Sequence, residues 1–165
     1  MDQLWAPWRM ELIEKGDAKQ GCIFCELPRA QDDRENLILG RTPQTFAILN
    51  RFPYNNGHLM VVPRAHTAEL GSLSREQHDE LSEMLRVAVR IVGRSYGAQG
   101  FNVGMNLGRV AGAGIADHLH WHVVPRWNGD TNFMTIVGDT RVLPEELLQT
   151  AEKLRPIFDR LSRSL

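Results

Sequence analysis

The stretch His118-Leu119-His120-Trp121-His122 constrains this chain more than any other. Histidine and apolar residue alternate at the period of a β-strand. Three imidazoles then share one face, while Leu119, Trp121 and Val123 face a core on the other. Successive histidines of such a strand lie roughly 6.5–7 Å apart, close enough to serve one small charged substrate and too far apart to satisfy one another. A solvated strand face would explain one histidine better than three. Imidazole is the side chain that carries protons and binds metals near neutral pH, so three in phase point to chemistry.

At 165 residues and 42% hydrophobic, the chain can bury one proper core, and a single domain over 1–165 with its terminal extensions packed on it is expected. A net charge of -1 offers no basic field to nucleic acid, although a small anionic ligand needs only local charge. Residues 1–8 lack the basic-then-apolar layout of a signal peptide, and no apolar run is long enough to span a bilayer. No membrane partner is expected, and the expected compartment is the cytoplasm. There, Cys22-Ile23-Phe24-Cys25 argues for metal or redox chemistry over a structural disulfide. A redox pair should precede a helix, whereas Pro28 and the polar run 31–35 read as loop. Half a zinc site leads, provided two more ligands exist.

In chain order, the aromatic terminus Leu4-Trp5-Ala6-Pro7-Trp8-Arg9 is suited to covering an apolar edge. Residues 37–39 and 45–49 read as strands around a turn with Gly40 and Pro43, and 58–62 read as a third strand closed by Pro63. Asn50, at the end of the second, has two readings, turn chemistry or reach to a ligand. Ser74 and Gln77 have capping-box form, and Leu81, Leu85, Ala88 and Ile91 recur at helical spacing until Gly97, a good C-terminal stop. Over 101–106 the alternation returns, with Asn102, Gly104 and Asn106 on a side-chain-poor face that suits close approach by a ligand or another backbone. A loop with Gly108, Arg109, Gly112 and Gly114 then feeds the histidines. Its N–H groups could cradle phosphate, or it is flexible surface. Pro144-Glu145-Glu146 predicts a second helix with Pro in its first turn, which Pro156 should kink or divide.

Three histidines could in principle ligate one catalytic zinc. The outer two of an i, i+2, i+4 set lie about 13 Å apart along a strand, too far to share an ion with bonds of about 2 Å. Separate roles fit better: one histidine attacks phosphorus, one assists and one fixes the strand.

His118-Leu119-His120-Trp121-His122-Val123-Val124 resembles the H-φ-H-φ-H-φ-φ signature of the histidine-triad (HIT) superfamily of nucleotide hydrolases and transferases. The likeness extends through Cys22-x-x-Cys25, Asn50, Gly57-His58-Leu59, Pro63-Arg64-x-His66 and Asn106. Both ends, Leu4 to Met10 and Trp127 to Val142, resemble those of bacterial diadenosine tetraphosphate phosphorylases. The resemblance implies an α+β fold: an antiparallel sheet of about five strands, one long helix and a C-terminal helical segment, paired as a homodimer. It implies that His120 takes up the α-phosphate of a nucleotide and that His122 contacts phosphate and helps the leaving group. It assigns Asn50 to the ribose, Phe24 and Ile48 to the base pocket, and Asn106, Gly112 and Gly114 to the phosphates. Cys22, Cys25, His66 and His118 would hold a structural zinc, with no organic cofactor.

Hydrolytic members commonly carry a Gln/Ser or Gln/Thr pair just ahead of the triad. Gly114 and Ile115 stand there in this chain, and the loop from Asn106 is one residue longer. A small glycine leaves room for inorganic phosphate as acceptor. The expected substrate is therefore a dinucleoside polyphosphate cleaved by phosphorolysis, with Arg109 and Arg126 as candidate polyphosphate contacts. The rivals are hydrolysis of dinucleoside polyphosphates or of AMP conjugates such as phosphoramidates, a nucleotide-binding module with vestigial activity, and a zinc hydrolase.

Overall fold

Five short apolar segments bounded by Gly, Pro and Asn form a sheet, and two amphipathic helices cover one side of it. The computed structural model of the chain describes residues 21–30, 32–130 and 145–162. A single helical turn, α1 (Ile23–Glu26), precedes β1 (Ile38–Arg41), β2 (Thr45–Leu49) and β3 (Leu59–Pro63). Next come the long helix α2 (Arg75–Tyr96), β4 (Gly100–Gly104), β5 (Trp121–Arg126) and α3 (Leu147–Ser162). The strand order is β1-β2-β3-β5-β4, with every neighbour antiparallel. This is the expected α+β architecture.

Register decides which side chains share a face, because residues directly opposite in a ladder point the same way. Ile38 pairs with Ile48, Ile48 with Met60, Met60 with His122, and His122 with Gly104. One row thus crosses the sheet through a triad histidine and ends on Gly104. On the opposite face Leu49, Leu59 and Val123, all at most 2% exposed, join Leu81, Met84, Ala88 and Ile91 of α2 in the core. Helix α2 starts at Ser74 with both capping-box hydrogen bonds and ends at Gly97 in the left-handed conformation (φ 59°), as its sequence predicts. Among the described residues, no helix is long and apolar enough to cross a membrane.

Several expectations are corrected. Gly40 does not turn the chain: it pairs with Ala47 inside the first hairpin, next to a bulge after Ile38, and the turn falls on 42–44. There Thr42 and the backbone of Gln44 donate to Glu80 of α2. Helix α3 begins at Leu147, after the two acids, and Thr150 N–H donates to the Glu146 carbonyl. Pro144 lies outside the described residues, as do the N-terminal aromatic segment and 131–142. Pro156 does not divide α3, which runs through it. Ala151, Leu154 and Phe158 carry the buried stripe while Pro156 is exposed, so water can serve the carbonyl that its missing N–H leaves unbonded. Arg155 ties α3 to the sheet by donating to the carbonyls of Ile38 (3.0 Å) and Asp33 (2.7 Å).

Candidate active site and metal centre

The histidine segment is only half strand. β5 begins at Trp121, and His118 to His120 approach it as irregular chain whose Leu119 N–H donates to the Thr67 carbonyl (2.8 Å). That break separates the three imidazoles. His118 turns to the cysteines, while His120 and His122 meet edge to face with ring centroids 5.0 Å apart.

Each ring's tautomer follows from its partners, since a carbonyl can only accept. His120 Nδ1 lies 2.9 Å from the His118 carbonyl and therefore carries hydrogen. Its Nε2 keeps the lone pair, and the only hydrogen bond of the ring among the described residues is the one at Nδ1. Burial pushes the His120 imidazole below the usual histidine range, and the bond to the His118 carbonyl offsets part of this. A neutral ring, fixed in tautomer and presenting one bare nitrogen, is what nucleophilic attack on phosphorus requires.

Behind His122 stands His58, fully buried. The Tyr54 backbone N–H donates to His58 Nδ1 (3.0 Å), so His58 carries hydrogen on Nε2 and donates it to His122 Nδ1 (3.0 Å). His122 is thereby left with its own proton on Nε2, the form able to protonate a leaving oxygen. Tyr54 stacks on both rings, at 4.7 Å from His58 and 6.0 Å from His122. In the sequence His58 carries no assigned role. The signal was the alternation His58-x-Met60-x-Val62, which puts His58 in phase with the face that pairs with His122.

The nucleotide-pocket candidates fall into two groups. Phe24 is 2% exposed and packs against His118 (5.4 Å), His120 (5.1 Å) and Phe46 (6.5 Å), and Ile48 lies in the row that runs through His122. Asn50 serves its turn: its Oδ1 accepts from Phe52 N–H (3.0 Å), and its Nδ2 lies 3.4 Å from each ring nitrogen of His58. In the glycine loop, Gly112 N–H donates to the Arg109 carbonyl (2.9 Å) and Ala113 N–H to that of Gly108 (3.3 Å). These two amides are bonded inside the loop. Asn106 Nδ2 donates to the Gly112 carbonyl (3.3 Å) and braces that loop against β4. Arg126 is held at both ends by Asp130 and donates to Asn102 (2.9 Å), so it is no free polyphosphate contact.

Cys22, Cys25, His66 and His118 bring one ligand atom each to within 4.8 Å of the other three. Cys22 Sγ to His118 Nδ1 is 3.2 Å, Cys25 Sγ to His66 Nδ1 3.5 Å, and His66 Nδ1 to His118 Nδ1 3.3 Å. Bonds of about 2.0–2.3 Å to a tetrahedral zinc imply ligand–ligand edges of about 3.3–3.8 Å, near the Cys22–His118, Cys25–His66 and His66–His118 separations. His118 Nε2 donates to the Pro63 carbonyl (2.8 Å), so its Nδ1 turns a lone pair to the cluster; burial depresses its basicity. These residues can hold a metal, and a closed Cys₂His₂ set has no open position for a substrate.

Fold and site describe a protein that presents imidazole chemistry on one face of a sheet, with a metal-competent cluster beside it. Residues 31–129 match the HIT domain family. The chain is 40% identical over 162 residues, 93% of its length and 83% of the relative's, to an AP-4-A phosphorylase of Mycobacterium tuberculosis. It is 29% identical to an adenosine 5'-monophosphoramidase of Schizosaccharomyces pombe, covering 81% of this chain and 95% of that one. A Zn-bound histidine triad family protein from Mycobacterium smegmatis superposes with a TM-score of 0.69 at 25% identity, covering 88% and 98% of the two chains. The chain belongs to the HIT family.

Proposed function

We propose that this protein cleaves diadenosine tetraphosphate by phosphorolysis. His120 Nε2 attacks the α-phosphorus, and the bond to the bridging oxygen breaks. ATP leaves with a proton from His122, and inorganic phosphate then displaces the AMP group from His120 as ADP. The observation that carries the reading is the His120 Nδ1 bond to the His118 carbonyl, which leaves the inner nitrogen protonated and the outer one nucleophilic. Identity of 40% to an AP-4-A phosphorylase over most of both chains supports the substrate and the acceptor. In this reading Phe24 and Ile48 line the base pocket, Asn50 exchanges its turn bonds for ribose contacts, and Asn106, Gly112 and Gly114 shape the phosphate site. Cys22, Cys25, His66 and His118 hold a structural zinc, whose chemistry is to lock that corner of the fold.

The protein acts in the cytoplasm, as a single domain paired into a homodimer. Edge strand β4 supports the pairing: among the described residues no strand pairs with its outer side, and Val103 on it is 44% exposed. A second reading, hydrolysis of AMP phosphoramidates on the same residues, is supported by the similarity to the yeast monophosphoramidase.

Anion-exchange analysis of products from diadenosine tetraphosphate, with and without phosphate, tests the proposal. ADP plus ATP formed only when phosphate is present is the expected result. AMP plus ATP regardless of phosphate would make water the acceptor, and turnover of the phosphoramidate alone would favour the second reading.

A further inference from the structure

Beyond His122 the catalytic face continues as an open groove of about 500 Å³. Ring contacts run in series from Phe24 to His120 (5.1 Å), to His122 (5.0 Å) and to Tyr54 (6.0 Å). The base-pocket candidates thus lie at one end of the series, and the groove opens at the other. Its floor is made of residues paired across β4 and β5, Gly104 opposite His122 and Asn102 opposite Val124.

Gly104 has no backbone reason to be glycine. Its φ is not in the left-handed region, and a Cβ placed there would meet nothing within 4 Å. Gly104 closes β4 and is still paired with His122, where a residue with a side chain would project from the same face. What glycine does at 104 is leave space on the face it shares with His122, where a leaving group must pass. Farther along, Arg126 is neutralised by Asp130 and joined to Asn102. That end of the groove is therefore close to neutral yet rich in donors and acceptors. Such chemistry suits ribose hydroxyls and base nitrogens better than another phosphate.

We propose that this groove receives the leaving half of a dinucleoside polyphosphate, its second nucleoside included, and that Gly104 is the residue that keeps it open. The proposal rests on the reading of function given above. It makes Gly104 a specificity determinant, separating substrates with a second nucleoside from simple AMP conjugates.

Isothermal titration with two probes tests it: AMP, which needs only the Phe24 side, and a diadenosine tetraphosphate analogue with methylene bridges that resist cleavage. For Gly104→Leu, binding of the analogue should weaken at least about ten-fold while the AMP Kd moves less than about two-fold. Asn102→Leu, at an exposed position, should show the same pattern, and thermal unfolding of both variants should match the parent. Equal weakening of both probes, or undiminished binding of the analogue, would overturn the proposal. So would a parent protein that binds the analogue no better than AMP. A parent that binds neither probe would remove the functional reading, and this one with it.

Discussion

Single atoms govern the chemistry at this site. His58 has neither surface nor a place in the triad, yet its Nε2–H sets which nitrogen of His122 holds the proton. His58→Leu should lower kcat by about 10–100-fold, the usual cost of losing a group that orients a catalytic side chain, with little change in KM. His58→Gln, which keeps an N–H donor, should recover part of that loss. Equal kcat for the Leu and Gln variants would mean that His58 merely fills space. The triad itself was legible residue by residue from its alternation. His58 was not, because a lone histidine at the start of a strand looks the same in sequence whether it faces solvent or another imidazole. Asn50 was legible only as two alternatives, and the structure shows the turn-bonded one.

At the scale of elements, the parts set by local chemistry were readable in advance, the capped helix α2 and the hairpin strands, whereas the helical turns at Ile23–Glu26 and Leu27–Arg29 were not, since Pro28 there reads as loop. What sequence could not show was where β5 starts. The break at His118 depends on Thr67, Pro63 and the cysteines, all distant in sequence, which draw that ring out of the strand. The metal cluster therefore joins three segments, and its short helix α1 carries Phe24 onto His120. Zinc removal should be slow and linked to unfolding, because a structural site contributes its binding energy to the fold. Cys25→Ser should abolish the bound zinc measured by atomic absorption and lower Tm by roughly 10 °C or more, given a loss of a few kcal/mol in a domain of this size. Inactivation by a chelator within seconds at unchanged Tm would place the metal in the reaction instead.

For the whole molecule, the candidate site and the proposed dimer edge meet on β4, whose Asn102, Val103 and Gly104 line the groove beside His122. His120 and His122 lie on the face near β3 and β5, and among the described residues β4 is the sheet's outer strand, with its Val103 44% exposed. Light scattering should report a dimer, and Val103→Lys should shift it to monomer, since charge on an edge strand blocks pairing. An unchanged mass would place the contact elsewhere.

The central claim is that the AMP group passes through His120. Mixing the protein with diadenosine tetraphosphate in the absence of phosphate, quenching in base and mapping peptides by mass spectrometry tests it directly. An AMP adduct on the peptide at His120, discharged as ADP when phosphate is added and absent from His120→Asn, is the expected result. Turnover without any adduct, or an adduct on another residue, would contradict it.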